Sequence, residues 1–291
     1  MSNSVREFGK RFVSMRTRRR IALARVAIRR PTAKWRPLPN LLIIGSQRAG
    51  TSSLFKYLSG HPQCKASVRK EIRFFTEYYH EGPEWYRAHF SLRRGGGAES
   101  PIVAFDATPD YLLDPRVPQR AHEMIANARI VILLRDPAER ALSHYQHNRR
   151  LGLEHLTFEE ALRLESKRIA PDLCKLDLQP TMPIGKNLLK YSYVERGRYA
   201  QQIERWMSIF DRSQFLILRS EDFFCETDAV FQRILAFLGL KEWHPAKYEN
   251  HSYFSDQRPP NEEVPSRSKE MIEHKLREDR GRLRELIGFD L

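Results

Sequence analysis

The sequence predicts an α/β fold in which helices cover both faces of a central parallel sheet. Short, continuous apolar runs are typical of strands buried on both faces, and here they alternate with amphipathic helical patterns. The apolar runs lie at 41–44, 102–105, 130–134 and 215–218, and the helical patterns at 51–58, 138–150, 158–164, 199–210 and 270–286. Of the 291 residues, 41% are hydrophobic and 11% are aromatic, which is enough for a packed core.

The positive charge of the chain is concentrated near its amino terminus. The formal net charge is +14, and residues 1–40 contribute +11 of it, with 12 Lys and Arg against the single acid Glu7. A segment of this composition is usually solvated or bound to an anionic partner. We therefore predict a basic N-terminal arm over 1–38, either flexible or an amphipathic helix, and one domain over 39–291. Pro31, Pro37 and Pro39 would form the linker between them.

The arm contains no predicted transmembrane helix or secretory signal. Its longest apolar stretch is interrupted by Arg25 and is far shorter than the roughly 20 residues of a membrane span. Val5, Phe8, Phe12 and Met15 recur at helical spacing with arginines between them, as in helices that lie on anionic membranes. We predict a cytoplasmic protein whose arm makes peripheral contact with an anionic membrane. A mitochondrial presequence and a disordered tail without a partner stay open.

The cysteines predict neither a disulfide framework nor a metal site. Cys64, Cys174 and Cys225 form no CxxC pair and no cluster with histidines. We expect free thiols in a reducing compartment and no bound metal.

The first apolar run leads into a sequence typical of a phosphate-binding loop. Residues 45–53 read GSQRAGTSS, a loop of small residues between a strand and a helix, where backbone N–H groups and the helix dipole favour an anion. Thr51 and Ser52 add hydroxyl donors. The spacing is that of a P-loop, GxxxxGK[ST], but Gly50 is followed directly by Thr51 and the cation comes earlier, at Arg48. The sequence thus predicts a P-loop-type domain, with an ordinary connecting loop as the alternative for this fragment alone.

The apolar run at 130–134 is followed by Arg135, which we expect at the same end of the sheet as the loop at 45–53. Arg135 would emerge at the carboxyl end of a strand, where ligands bind in open α/β sheets, and its guanidinium can hold a phosphate in a bidentate fashion. Pro137 suits the first turn of a helix, and Ser143 follows on it, two turns after Asp136. A structural ion pair between Arg135 and Asp136 is the alternative.

Together these two elements resemble the family of sulfotransferases that use 3′-phosphoadenosine-5′-phosphosulfate (PAPS). The sequence is most similar to the carbohydrate, or heparan-type, branch and its bacterial relatives. GSQRAGTSSL at 45–54 resembles the family's 5′-phosphosulfate loop, and LRDPAERALSHY at 134–145 its 3′-phosphate strand and helix. KEIRFF at 70–75, YAQQIERWMSIF at 199–210 and FLILRSEDF at 215–223 also fit, so that the resemblance spans about 40–240. It implies an enzyme of the EC 2.8.2 type that transfers a sulfuryl group to a hydroxyl or amine without a metal. Carbohydrate or glycolipid is the acceptor that the resemblance favours, and a peptide tyrosine or another small molecule stays open.

The resemblance also implies which residues bind PAPS. Arg48, Ala49, Gly50, Thr51 and Ser52 would bind the 5′-phosphosulfate. Arg135 and Ser143 would bind the 3′-phosphate. Arg48 occupies the position of the family's loop lysine, and its role in stabilising the leaving group would be electrostatic because arginine does not give up its proton.

Glu71 is the base that the resemblance implies, taking the proton from the acceptor. We expect the neighbouring Phe74 and Phe75 to desolvate its carboxylate and raise its pKa toward neutrality. Without the resemblance, a glutamate on the surface among charged neighbours is the alternative.

Some positions depart from the family pattern. Ala107 stands where heparan-type members often carry a lysine, which weakens the case for a heparan-like acceptor. His147, Arg149 and Arg150 either line the acceptor cleft or form a solvated helix face. The family's cysteine-stapled cofactor loop is not seen, and Arg258, Arg267 and Lys269 would cover the cofactor instead.

Two other functions compete with sulfuryl transfer. A P-loop small-molecule kinase needs a lysine before Thr51 and an acid that holds Mg²⁺. A nucleic-acid-binding arm needs stacking aromatics among its cations, and this arm has only Phe8, Phe12 and Trp35. We therefore predict no specific nucleic-acid partner.

Overall fold

The centre of the protein is a five-stranded sheet in which all neighbouring strands are parallel. The computed structural model describes residues 15–92, 103–179, 181–249 and 263–291. The strands are β1 (Leu41–Gly45), β2 (Cys64–Ala66), β3 (Val103–Ala107), β4 (Arg129–Leu134) and β5 (Phe215–Arg219), in the order β2-β3-β1-β4-β5. The predicted α/β fold is confirmed, as are the four predicted strands within the described residues. β2 was not predicted because its three residues include a lysine and form no apolar run.

Helices precede the first strand, connect the strands and follow the last one. They are α1 (Met15–Arg29), α2 (Thr51–Gly60), α3 (Gly82–Arg87), α4 (Asp110–Leu113), α5 (Val117–Ile125), α6 (Pro137–Arg150), α7 (Phe158–Leu178), α8 (Lys186–Tyr191), α9 (Tyr199–Met207), α10 (Ser220–Cys225), α11 (Thr227–Phe237) and α12 (Ser266–Ile287). Each predicted helical pattern within the described residues is helical at its core. α7 continues well past the predicted end at 164, and Thr157 begins it with a capping box.

Both faces of the sheet are covered by apolar packing. Side chains alternate between the faces of a strand. Leu42 and Ile44 of β1 belong to one core cluster, and Leu41 and Ile43 belong to another. All four are fully buried, which explains why the strand reads as a continuous apolar run.

The described part of the basic arm is packed against the domain. α1 is followed by a 3₁₀ turn (Arg30–Trp35), and Val26 and Ala33 are buried in the main core cluster. Arg36 donates from Nη1 to the carbonyl of Phe90 at 2.8 Å. The arm can be so charged because its apolar contacts occupy one face and its exposed arginines the other. Residues 1–14, including Val5, Phe8 and Phe12, lie outside the described residues, and a boundary near residue 38 stays a prediction.

Within the described ranges, no helix has both the length and the apolar character needed to cross a membrane.

Candidate active site

The two predicted phosphate-binding elements lie side by side. β1 and β4 are neighbours in the sheet, and each runs directly into a loop and the first turn of a helix, α2 or α6. The chain leaves β1 for β2 on one side and later returns to β4 on the other, so this is the point where the strand order reverses. The N-termini of α2 and α6 therefore face one crevice, where the helix dipoles favour an anionic ligand. At α2 no side chain caps the N–H groups of the first turn, which can bind such a ligand.

The loop after β1 has a backbone that few residue types can adopt. Gly50 has φ of 98°, and a Cβ there would lie 2.9 Å from the ring of Phe224. Arg48 is in the left-handed region at φ 74°, although it is not a glycine. The carbonyl of Ala49 accepts a hydrogen bond from Ser220 Oγ at 3.0 Å. Such conformations cost free energy and are found mostly where a surrounding structure and a function require them.

The structure brings Arg48 and Ser143 into contact across 95 positions of sequence. Arg48 Nε donates to Ser143 Oγ at 3.1 Å. Arg135 is largely buried and pairs through Nη2 with Glu139 Oε2 at 3.0 Å. Asp136 instead caps α6, accepting hydrogen bonds from the N–H groups of Ala138 and Glu139, each at 2.9 Å.

Tyr199 ties the two loops together, a role that the sequence alone did not suggest. Its hydroxyl donates to the carbonyl of Arg135 at 3.0 Å and lies 3.2 Å from Ser46 Oγ. The side chain is fully buried, and this burial raises its pKa. The only signal for it was its place at the start of the segment at 199–210.

The segment that contains Glu71 lies at the carboxyl end of β3, the other neighbour of β1. The N–H group of Glu71 donates to the carbonyl of Ala107 at 3.0 Å. Glu71 and Arg73 both have positive φ, of 59° and 60°. Two left-handed non-glycine residues within three positions form a tight, strained turn of the kind that occurs at functional sites.

The carboxylate of Glu71 is surrounded by cations. Lys70 Nζ lies 2.8 Å from Oε1 and Arg73 Nη2 lies 3.6 Å from Oε2. Burial raises the pKa of Glu71, but the charges of Lys70 and Arg73 outweigh this effect and lower the pKa to about 2. The predicted rise toward neutrality is therefore wrong. Phe74 and Phe75 are buried in the main core, where Phe74 stacks on Tyr86 at 4.2 Å, and the environment of the carboxylate is set by cations.

Arg73 is fixed by a chain of ion pairs that leads from the partly exposed Glu77 to the buried Asp110 and Arg196. It bonds Glu77 at 2.9 Å and lies 3.2 Å from Asp110, whose other oxygen is 2.8 Å from Arg196 Nη2. The side chains of Asp110 and Arg196 are only 5% and 4% exposed. Neither residue was predicted, because their pairing across 86 positions leaves no local pattern.

His147 lies where the charges of Arg48 and Glu71 both act on it. It follows Ser143 by one turn of α6 and is half-buried. Its pKa is lowered to about 4, first by burial and then by Arg48 and Arg150, while Glu71 opposes the shift. The imidazole is therefore neutral at pH 7. The loop after β1 and the Glu71 segment are thus close enough for their charges to act on the same side chain of α6.

The remaining predicted contacts are less closely connected to this site. Arg149 is exposed and donates to the carbonyl of Glu154 at 3.3 Å. Arg267 lies on α12, 3.5 Å from Glu159 of α7, rather than over the loops. Lys269 is exposed on the same helix, and Arg258 lies outside the described residues.

Among the described residues, no three or more His, Cys, Asp and Glu side chains come close enough to hold a metal ion. Cys64 is buried, and Cys174 and Cys225 are exposed; all three are free thiols.

Known proteins are similar to this chain in both sequence and fold. A family model described as a sulfotransferase domain matches residues 38–282. A sulfotransferase from Alicyclobacillus acidocaldarius has a solved structure that aligns over 87% of this chain and 97% of its own, with a TM-score of 0.65 and 29% sequence identity.

Curated relatives match over part of their length. The membrane-associated sulfotransferase kil1 of Dictyostelium discoideum is 26% identical over 79% of this chain and 62% of its own. The bifunctional heparan sulfate N-deacetylase/N-sulfotransferase 1 of Mus musculus is 31% identical over 69% of this chain and 22% of its own. The heparan sulfate glucosamine 3-O-sulfotransferase 6 of Homo sapiens is 28% identical over 76% of this chain and 57% of its own. The chain thus spans less than two thirds of each.

Proposed function

Because this chain belongs to the sulfotransferase domain family, we propose that it transfers a sulfuryl group from PAPS to a hydroxyl or amine. One observation carries the proposal. The two elements predicted to bind anions meet at the switch point of a parallel sheet, with Arg48 and Ser143 in contact at 3.1 Å. A nucleotide that carries a phosphosulfate at one end and a phosphate at the other matches two such elements, whereas a nucleotide with one phosphate chain needs only one.

The residues fit this donor. The N–H groups of 48–52 and the hydroxyls of Thr51 and Ser52 would hold the 5′-phosphosulfate at the N-terminus of α2. Arg135 and Ser143 would hold the 3′-phosphate at the start of α6. Arg48 would contact the bridging oxygen, and its present bond to Ser143 supports a place between the two anionic groups.

The proposed reaction is an in-line displacement at sulfur. The acceptor oxygen or nitrogen forms a bond to sulfur while the bond from sulfur to the bridging oxygen breaks. The electron pair of that bond goes to the leaving adenosine 3′,5′-bisphosphate (PAP), where Arg48 stabilises the growing charge. The acceptor proton goes to Glu71.

The acceptor that we propose is a carbohydrate or glycolipid. The names of two relatives described above state that they act on heparan sulfate. The resemblance to the carbohydrate branch of the family also includes the segment around Glu71. Ala107 stands where heparan-type members often carry a lysine, so we do not propose heparan sulfate itself as the acceptor. The acceptor cleft would lie beside Glu71 and His147, where the carboxylate can reach an incoming hydroxyl.

Nucleotide binding tests the donor assignment. We expect PAP to stabilise the protein against heat and AMP to do so much less, because Arg135 and Ser143 are assigned to the 3′-phosphate. At a hundredfold excess over Kd, binding adds about 2.7 kcal/mol to the free energy of unfolding. Differential scanning fluorimetry measures the shift, with Arg135→Ala as the matched variant. Equal shifts with PAP and AMP would contradict the assignment.

Metal removal separates this function from the kinase alternative, which the family match does not favour. We expect full turnover in EDTA, because a sulfuryl group carries less charge than a terminal phosphoryl group and Arg48 with the loop N–H groups can balance it. Turnover is measured with labelled PAPS and an acceptor panel. A strict requirement for Mg²⁺ would favour the kinase.

We also propose a cytoplasmic protein whose arm rests on an anionic membrane. The outer face of α1 exposes Ile21 and Ile28, by 46% and 79%, between the exposed Arg20 and Arg25. Apolar side chains flanked by cations suit the boundary between headgroups and acyl chains. The free cysteines support a reducing compartment.

Vesicle binding tests the arm. We expect the full chain to bind vesicles containing phosphatidylserine at low salt and the Arg20→Glu/Arg25→Glu variant to bind much less, since each cation near such a surface contributes about 1 kcal/mol. Turnover on a soluble acceptor should not change. Substitution is preferable to truncation because Val26 and Ala33 are part of the core. Equal binding to neutral vesicles, or none to either kind, would contradict the proposal.

A further inference from the structure

The ammonium group of Lys70 is held by a single partner. Its Nζ lies 2.8 Å from Glu71 Oε1, and this is its only hydrogen bond or ion pair within the described ranges. The side chain is 20% exposed. An ammonium group has three N–H donors, so Lys70 can reach a second acceptor without losing another contact.

Arg73, the other cation on Glu71, is fixed in place. It is held by Glu77 at 2.9 Å and by Asp110 at 3.2 Å, and Asp110 is held in turn by Arg196 at 2.8 Å. Moving Arg73 would break a buried network, which is costly. Of the two cations on Glu71, Lys70 is therefore the one that can change partner.

Glu71 is a weak base while Lys70 remains on it. A proton arriving at Oε1 must displace the ammonium group, and the pKa of about 2 reflects this competition, with burial acting in the opposite direction. The other groups that act on the carboxylate are Arg73 and Arg196, and its charge reaches His147 on α6. To accept a proton from an alcohol, Glu71 needs a pKa closer to neutrality than this.

Resting on the proposed function, we propose that Lys70 exchanges partners when the donor binds, leaving Glu71 for a sulfuryl oxygen of PAPS. The distances allow it. The attacked sulfur lies about 3–3.5 Å from the acceptor oxygen in a reactive complex, and that oxygen must be within hydrogen-bond reach of Glu71. An ammonium group 2.8 Å from Glu71 is thus within a few ångström of the sulfuryl oxygens.

The exchange gives Lys70 two effects on one reaction. Its charge stabilises the sulfuryl group as the bond to the bridging oxygen breaks and the electron pair goes to PAP. Its departure leaves Glu71 able to take the acceptor proton as the new bond to sulfur forms. Lys70 keeps its own protons throughout. The base would therefore become competent only once the donor is in place.

Donor affinities of the full chain test this exchange. PAP lacks the sulfuryl group, so the ratio of the Kd values for PAPS and PAP isolates contacts to that group. We expect Lys70→Met to weaken PAPS about 10- to 100-fold, as for the loss of a charged hydrogen bond, and to leave PAP unchanged. Glu71→Gln should tighten PAPS selectively, because it releases Lys70, and the double variant should lose this gain.

Turnover supplies a second measurement. Lys70→Met should lower kcat about 10²–10³-fold, and Lys70→Arg should restore part of it. Lys65→Met is the matched control, since Lys65 is an exposed lysine on β2 whose Nζ donates to the carbonyl of Pro62. It should change neither ratio nor rate.

The exchange is overturned if Lys70→Met shifts PAPS and PAP equally, or if the gain of Glu71→Gln survives in the double variant. Retained PAP binding shows that each variant is folded at the site. If the unsubstituted chain fails to bind PAP, the proposed function falls, and the exchange with it. If the unsubstituted chain binds PAP and transfers the sulfuryl group, and Lys70→Met changes neither PAPS affinity nor turnover, the exchange is overturned while the proposed function stands.

Discussion

Glu71→Gln is expected to abolish most turnover while leaving PAP affinity almost unchanged. The glutamine keeps the size of the side chain and can still accept hydrogen bonds, but it cannot take up the acceptor proton. Loss of a general base typically costs about 10²–10⁴-fold in rate. Turnover is measured with labelled PAPS at saturating acceptor, and PAP affinity by calorimetry. Near-normal kcat on the true acceptor would exclude Glu71 as the base.

Glu77→Gln is the matched control for this substitution. Glu77 is a carboxylate bonded to the same arginine, Arg73, but its side chain is assigned no proton transfer. The glutamine can still accept a hydrogen bond from Arg73, and Asp110 still holds Arg73 in place, so the variant should keep most of the turnover. If both variants lose activity alike, the loss comes from releasing Arg73 rather than from removing a base.

The lowered pKa of Glu71 has a consequence for stability that the same variant measures. Its folded-state pKa of about 2 lies below the ordinary value of 4.5. The ionised form therefore stabilises the fold above about pH 4.5, and this contribution is lost as the pH falls toward 2. The difference in melting temperature between the unsubstituted protein and Glu71→Gln should shrink over that range.

The sheet and its phosphate-binding edge could be predicted because their signals are local. Continuous apolar runs mark strands buried on both faces. Arg135 directly follows one of them, and Arg48 lies in the loop that follows another. Parallel strands place residues that follow their carboxyl ends on the same side of the sheet, independently of the structure of the rest of the chain. The contact between Arg48 and Ser143 follows from this arrangement together with the direction of α6.

The environment of Glu71 could not be predicted in the same way. Lys70 is adjacent to Glu71 in sequence, so its contact could be expected. The left-handed backbone of Glu71 and Arg73, which brings the Arg73 side chain near the carboxylate, has no sequence signature because neither residue is a glycine. Asp110 and Arg196 meet only in the folded chain. The pKa of Glu71 depends on these placed charges, so an expectation based on its phenylalanine neighbours had the wrong sign.

The charge of the arm does not determine whether it packs against the domain. Its composition indicates solvation, and its exposed arginines agree with that. Yet Ala22 and Val26, one turn apart, are both buried, and Val26 belongs to the main core cluster, so that one face of α1 packs against the domain. Net charge describes what a segment can bind but does not determine whether one face of it is buried.

Asp110→Ala is expected to cause the largest loss of stability of the substitutions considered. Asp110 is almost fully buried and bridges Arg73 and Arg196, of which Arg196 is also buried. Removing one partner of a buried ion pair leaves an uncompensated charge and typically costs about 3–5 kcal/mol. Thermal and urea unfolding measure the loss. Asp290→Ala, which removes an exposed carboxylate 3.6 Å from Arg284, is the control and should change the melting temperature little.

Removing both partners distinguishes a buried charge from a simple loss of packing. The double variant Asp110→Ala/Arg196→Met no longer contains the uncompensated guanidinium, so it should be more stable than Asp110→Ala alone. Asp110→Ala should also lower turnover, because Arg73 then loses the contact that holds it against Glu71. Turnover should stay low in the double variant even where stability returns, since Arg73 is still released. A double variant less stable than both single variants would mean that the pair contributes through packing, and full turnover in Asp110→Ala would mean that Asp110 does not position the base.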